Sequence, residues 1–245
     1  MYKKELAEQL AYDYCCSVED VLDGNNHFSV FERNGGQRVF DSLEMPALKI
    51  VAVNGKLLFA GAPEVMEKCR GSFSKEGAAW FMDVHNFRKI EELLEEFGHR
   101  IKTVHPFFLP ENDAVPEAKF EIKKYDQQEI LQFKDDERFP EAFSFDEQAP
   151  DVLAVAAFKD GEIIGMAGAS ADSPTFWQIG INVSKDSECA HVGSTLVSIL
   201  KKDIMDFGKV PYYGTSFSNL CSQRVALNAG FKPAWVELLS EKNNF

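Results

Sequence analysis

The sequence predicts an α/β fold of the α+β kind: a mixed, mostly antiparallel sheet flanked by helices, preceded by a smaller α/β domain. Three observations predict it. Paired apolar runs surround Asn54-Gly55 and again Asp160-Gly161. Such pairs mark hairpins, because a type I′ turn needs positive φ at both central residues. Apolar residues also recur at helical spacing between strand-like segments, and a helix between two strands of one sheet requires a crossover. Finally, PFFLPENDAVPEAKF at 106–120 holds three prolines and separates two stretches with their own periodic patterns. It sets a boundary between a domain at 1–112 and a second at 117–245.

In the first part, LKIVAVNGKLLFAGA is the hairpin, and a short helix follows from Pro63. AAWFMDV reads as a strand. NFRKIEELLEEFG reads as an amphipathic helix with Phe87, Ile90, Leu93, Leu94 and Phe97 on one face and Gly98 as its stop. HRIKTVHPFFL is a further strand.

In the second part, FEIKKYD alternates as a strand and QQEILQF starts a helix. DVLAVAAFKDGEIIGMAGAS is the long hairpin, and FWQIGINV follows with Ile179, Ile181 and Val183 on one face. Past a polar loop, Val192, Leu196, Ile199, Leu200 and Ile204 recur at helical spacing, with Gly208 closing the helix. VPYYGTSF is a short strand. NLCSQRVALNAG is a helix that Asn219 caps and Gly230 ends, and FKPAWVELL is the last strand. Asn86 to Gly98 and Asn219 to Gly230 share the order asparagine, helix, glycine, strand, which hints at an internal duplication.

Composition limits the partners. The 245 residues are 45% hydrophobic and 12% aromatic, enough for a sizeable core. A formal net charge of -13 argues against a nucleic-acid backbone or an anionic membrane as partner, since neither can be neutralised by a basic patch that is not there. It suits a cationic amine, although acidic proteins in general need no such reason. No stretch approaches the roughly 20 apolar residues of a membrane span. Five cysteines without a CxxC pair, and an opening MYKKELAEQLAYDY without an apolar signal segment, set the expectation of a cytoplasmic protein. No metal is expected: Cys189, His191 and Cys221 lack the four ligands at short paired spacings of a structural zinc site. NVS at Asn182 is a glycosylation sequon by pattern only.

Residues 150–240 resemble the acyl-CoA-binding core of the GNAT superfamily of N-acetyltransferases. The resemblance rests on GEIIGMAGAS, WQIGINV, the loop and helix SECAHVGSTLVSILKKDIMDFG, and SNLCSQRVALNAGFKPAW. The last is the most specific, because an asparagine opening a helix that ends in Gly-Phe is the usual finish of that core. The resemblance implies acetyl-CoA as co-substrate, and a first half that is a degenerate GNAT-like repeat. It implies that Ile181 and Val183 pair their backbones with the pantetheine arm. It implies too that Glu188, Cys189, Ala190, His191, Val192, Gly193 and Ser194 receive the pyrophosphate, where orphan N–H groups and the helix dipole favour negative charge. Asn219 and Ser222 match positions facing the pantetheine arm and the reacting end.

The chain departs from the family pattern at several places. The signature of Gln or Arg, two residues, Gly, one residue, Gly or Ala falls on Glu188, His191 and Gly193, and only the last matches. A carboxylate about 6 Å from a phosphate costs about 1–3 kcal/mol. A histidine where glycine is usual implies a right-handed backbone at 191 or a loop displaced from the phosphates. The family's general-acid tyrosine is Ala226 here, and a glutamate of some members falls at Trp177 or Gln178. That leaves Gln178, Tyr213 and Ser222 as catalytic candidates, Ser216 as a further holder of water, and the Val183 N–H as a donor to the thioester carbonyl.

Three readings follow: an N-acyltransferase, acetyl by preference, acting on a small-molecule amine; a GNAT-like module that binds CoA without efficient turnover; and a tandem-GNAT aminoacyl transferase. A homodimer is compatible with each.

Overall fold

The computed structural model describes residues 2–39, 45–184 and 191–243. They form two compact units, one of residues 108–233 and one of residues 2–107 with 234–245.

The unit of residues 2–107 and 234–245 opens with α1 (Lys3–Asp13), α2 (Val18–Leu22) and β1 (His27–Val30). Ser17 caps α2 in a capping box with Asp20. The hairpin is present as β2 (Leu48–Val53) and β3 (Lys56–Gly61), with φ of 49° at Asn54 and 85° at Gly55. Helix α3 (Pro63–Phe73) starts on its proline. The strand expected at AAWFMDV is instead a 3₁₀ turn at Ala78–Trp80. Ala78 and Phe81 are buried while Ala79 and Trp80 point to solvent, a spacing of three that no strand can produce.

Helix α4 (Val84–Glu95) follows, capped by Asp83. Asn86 therefore lies inside this helix, buried, with its Nδ2 donating to the Phe81 carbonyl at 3.1 Å. The matching order of asparagine and glycine in the two halves thus does not reflect matching caps. Strands β4 (His99–Pro110) and β10 (Phe231–Lys242) each contribute residues to both units. In this unit β1 pairs parallel with β3, and β2 lies antiparallel to both β3 and β10. Its core gathers Phe59, Phe73 and Phe81 with the apolar face of α4.

In the unit of residues 108–233, β5 (Glu121–Asp126), α5 (Gln127–Ile130), β6 (Asp151–Lys159), β7 (Glu162–Ser170) and β8 (Phe176–Val183) precede α6 (Val192–Asp206), β9 (Val210–Gly214) and α7 (Leu220–Asn228). The strands lie in the order β9-β8-β7-β6-β5, antiparallel except for the β8–β9 pair. The β6–β7 turn has φ of 52° at Asp160 and 84° at Gly161, as its sequence requires. Helix α6 covers one face, where Val192, Leu196 and Leu200 meet Ile179, Tyr213 and Ala226. The other face is covered by the aromatic cluster of Tyr125, Phe133, Phe139 and Phe143.

Glycines decide how closely these layers approach. Gly168 and Gly180 are partners across β7 and β8. A Cβ on Gly180 would overlap the Glu141 carbonyl oxygen, and one on Gly168 the Ala142 carbonyl oxygen, so the pair forms a trough in which the 141–142 backbone lies. Asn182 holds that backbone in place, its Oδ1 accepting from the N–H groups of Glu141 and Ala142 at 2.9 Å. The sequon asparagine is thus occupied within the fold. On the opposite face, a Cβ on Gly165 would sit 2.8 Å from Val192, so its absence lets the first turn of α6 rest on β7.

Candidate active site

The parallel register of β8 and β9 runs from Phe176–Val210 to Ile179–Tyr213 and stops there, while β8 continues to Val183 against β7 alone. The Ser184 N–H donates to the Ile164 carbonyl of the β7 side at 3.0 Å. Because successive residues of a strand turn their N–H and C=O to alternate sides, Gly180 and Asn182 share that direction. The backbone groups of Ile181 and Val183 face the other way, into the opening beside β9. Their side chains lie against the α6 core. The strand therefore packs with its side chains and keeps one edge of its backbone available.

Helix α6 begins beside this edge. Its first intrahelical bond runs from the Thr195 N–H to the His191 carbonyl at 3.1 Å. The N–H groups of Val192, Gly193 and Ser194 precede it, where a helix has no acceptor of its own and the dipole is positive. Ser194 is engaged, its Oγ donating to the His191 carbonyl at 3.1 Å. Gly193 fits closely: an added Cβ would stand 3.2 Å from the Val225 side chain and 3.3 Å from that of Val183, so these neighbours would have to shift by a few tenths of an ångström.

His191 corrects one expectation. Its backbone is left-handed, φ 57° and ψ 19°, not right-handed. This is the region glycine enters most cheaply, and a histidine reaches it at some cost. The imidazole itself is exposed and makes no capping bond to the helix. Glu188, Cys189 and Ala190 lie outside the described residues.

Across the opening stands the start of α7. Asn219 is its cap: its Oδ1 accepts from the Ser222 N–H at 3.0 Å. The loop before it is tied by Gln223, whose Nε2 donates to the carbonyls of Ser216 and Phe217 at 3.1 and 2.9 Å. The Ser222 hydroxyl meets the Tyr213 phenol at 2.8 Å. Burial pushes the Tyr213 pKa above its ordinary value of 10, and the bond to Ser222 only partly offsets this, so the phenol keeps its proton at neutral pH. Ala226 is fully buried in the α6 core.

Of the three catalytic candidates, the structure joins two and separates the third. Gln178 alternates to the opposite face of β8, where its Oε1 accepts from the Tyr212 hydroxyl at 3.0 Å. Tyr212 also bonds Asp172, which accepts from the Ser170 hydroxyl at 2.6 Å. Tyr212 and Tyr213 are neighbours in sequence yet serve different faces, as strand alternation demands. The Asp172 network is a group that sequence reasoning missed. The signal that could have found it is Asp172 set directly after the apolar run of β7. Among the described residues no cluster of three or more His, Cys, Asp or Glu could hold a metal ion, and no helix is long and apolar enough to cross a membrane.

Residues 119–231 match the family model described as "Acetyltransferase (GNAT) family". No curated protein matches the chain. Similar solved structures include a GCN5-related N-acetyltransferase-like protein from Streptococcus suis 89/1591, 15% identical, covering 85% of this chain and 89% of that one with a TM-score of 0.47. A GCN5-related N-acetyltransferase from Kribbella flavida is also 15% identical, covering 63% of each chain with a TM-score of 0.47. A tandem GNAT protein from the clavulanic acid biosynthesis pathway is 12% identical, covering 63% of this chain and 58% of that one with a TM-score of 0.46.

Proposed function

With residues 119–231 a domain of the GNAT acetyltransferase family, whose members move acyl groups from CoA thioesters to amines, we propose that this protein is an N-acyltransferase that uses acetyl-CoA and acylates a small-molecule amine. The observation that carries this reading is the end of β8–β9 pairing at Ile179–Tyr213, with the start of α6 beside the backbone edge it leaves on Ile181 and Val183. An extended ligand with amide groups can add to that edge as a short strand does. The N–H groups of Val192, Gly193 and Ser194 then meet a phosphate without any basic side chain. The left-handed His191 supports the same placement, since it bends the backbone where the family has glycine.

The CoA thioester supplies an activated acyl carbon and a thiolate leaving group. This chain's residues then have three tasks. An N–H on the β8 edge polarises the carbonyl, worth roughly 10²–10³ in rate for one such donor. Tyr213, kept protonated by burial and bonded to Ser222, delivers the proton that the departing sulfur requires and regains one from the proton that the acylated nitrogen gives up, so the phenol is restored within the turnover. This pair takes the role left open by Ala226. Holding the two reactants together accounts for much of the remaining rate.

A module that binds CoA without turnover is the second reading, and it draws on the buried Ala226, which offers no acid at the family's usual place. Acetyl-CoA titration followed by calorimetry or thermal unfolding tests the binding step: at 100 times its dissociation constant a ligand adds about 2.7 kcal/mol of stability. Gly193→Trp should abolish that response. No response from the parent protein at millimolar acetyl-CoA would refute both readings. Binding without acylation of any amine in a panel of polyamines, amino acids and aminoglycosides would favour the second.

A further inference from the structure

The trough of Gly168 and Gly180 fixes a segment at the mouth of the gap between β8 and β9. Gly180 is the first residue of β8 past its last pair with β9, Ile179 with Tyr213. The Glu141 carbonyl lies against Gly180, where a Cβ would overlap it, and the Glu141 N–H donates to Asn182 at 2.9 Å. Ala142 and Phe143, which follow, are buried in the aromatic cluster of that face. The backbone of Glu141 is therefore fixed while its side chain stays exposed.

The gap has two faces with different occupants. Tyr213 belongs to the core under α6, and its phenol meets Ser222 of α7 there. The 141–142 backbone lies on the other face. A thioester held along the β8 edge, with its phosphates at the start of α6, leaves that other face as the approach for an acceptor. Glu141 stands on this approach. Its charge acts through the gap on the Tyr213 phenol, which the two groups can do only from nearby positions. Among the described residues, no hydrogen bond or ion pair engages the Glu141 carboxylate.

We propose that Glu141 receives the ammonium group of the acceptor and takes its proton, and that the acceptor is a cationic amine with no carboxylate on the carbon bearing the reacting nitrogen. This rests on the acyl-transfer reading. An α-amino acid would set its own carboxylate beside Glu141, and like charges so placed repel. The protons balance. Glu141 takes one from the ammonium, and the free amine attacks the acyl carbon. The N–C bond forms, the C–S bond breaks, and the sulfur leaves with the electron pair and the Tyr213 proton. The excess proton on nitrogen restores the phenol, and Glu141 returns its own to water.

The test uses the full chain, with acetyl-CoA and a panel of polyamines, aminoglycosides and α-amino acids as acceptors. The parent is expected to acylate polyamines or aminoglycosides faster than α-amino acids. For the best acceptor, Glu141→Gln should lower kcat/KM at pH 7 at least tenfold, with the dissociation constant for acetyl-CoA within twofold of the parent. Glu141→Asp should recover part of the loss. Without the carboxylate the variant depends on acceptor that is already deprotonated, so its kcat/KM should climb about tenfold per pH unit from pH 7 to 9, while the parent changes less than about threefold. Tyr213 keeps its proton over this range, β7 and β8 face Glu141 with Gly168, Gly180 and Asn182, and Arg138 on its own segment is paired with Asp136 at 2.6 Å. Cooperative unfolding confirms that each variant is folded. A Glu141→Gln protein within threefold of the parent and with a parallel pH profile, or a parent that prefers α-amino acids, overturns this proposal alone. A parent that does not bind acetyl-CoA at millimolar concentration overturns the acyl-transfer reading with it.

Discussion

Tyr213→Phe separates a proton donor from a packing residue. The substitution removes one oxygen, bonded at 2.8 Å to Ser222, from a side chain that is 2% exposed. The ring stays, tilted against Phe231 at 6.2 Å, so the core is preserved. The lost hydrogen bond costs about 0.5–1.5 kcal/mol. Ser222 is half-buried and its hydroxyl can turn to water, which places the cost at the low end. Removing a general acid costs about 10²–10⁴ in rate, or about 2.7–5.5 kcal/mol of barrier. The variant should therefore lose kcat by at least a hundredfold while KM for acetyl-CoA and the unfolding midpoint barely move. Thiol release from acetyl-CoA measures this, both with an acceptor found by screening and as slow acceptor-free hydrolysis. The parent enzyme should show no loss of rate from this group until above pH 10, because burial raises the phenol pKa. A folded Tyr213→Phe enzyme with kcat within threefold of the parent would refute the assignment.

Asn219→Ala removes the cap of α7 and should cost about 1 kcal/mol of stability, read from chemical denaturation, together with weaker acetyl-CoA binding as the helix start frays. Gly180→Ala places a methyl group against the Glu141 carbonyl and should destabilise by about 1–3 kcal/mol, with Asn182 losing its two backbone partners. Lys201 is buried in α6 and donates to the Ala229 carbonyl at 2.6 Å. Burial holds its pKa below 10.5, so between the folded value and 10.5 the unfolded chain binds more protons and this residue's contribution to stability rises with pH. Lys201→Met lacks that increment. The difference between parent and variant unfolding midpoints should therefore move in the parent's favour as pH rises through this window, and a constant difference would contradict the assignment.

Most of the fold was legible because its signals are local. Asn54-Gly55 and Asp160-Gly161 dictate positive φ at their turns, and Gly98, Gly208 and Gly230 adopt positive φ where their helices end. The stripe from Val192 to Ile204 turned towards the sheet as its spacing required. AAWFMDV misled because its apolar run satisfies either period, and only the surroundings choose between burying Ala78 with Phe81 and alternating along a strand. The opening helices α1 and α2 and strand β1 carry weak periodic signals and went unread.

The candidate site divides the same way. The sequence by itself carried the elements, a strand through Ile181 and Val183, a helical stripe from Val192 and a capping Asn219, and the family resemblance alone gave Ile181, Val183 and Ala226 their expected roles. Only the tertiary structure decided which of these groups act together. Strand alternation sends Gln178 to Tyr212 and Asp172 on one face and Tyr213 to Ser222 on the other. The same holds for the glycines: Gly193 lies close to Val183 and Val225, while Gly168 and Gly180 make room for a backbone 26 and 39 residues away in sequence. A residue's type limits what it can do, but its partner is chosen by chain segments far apart in sequence, and that choice exists only once the sheet has closed around them.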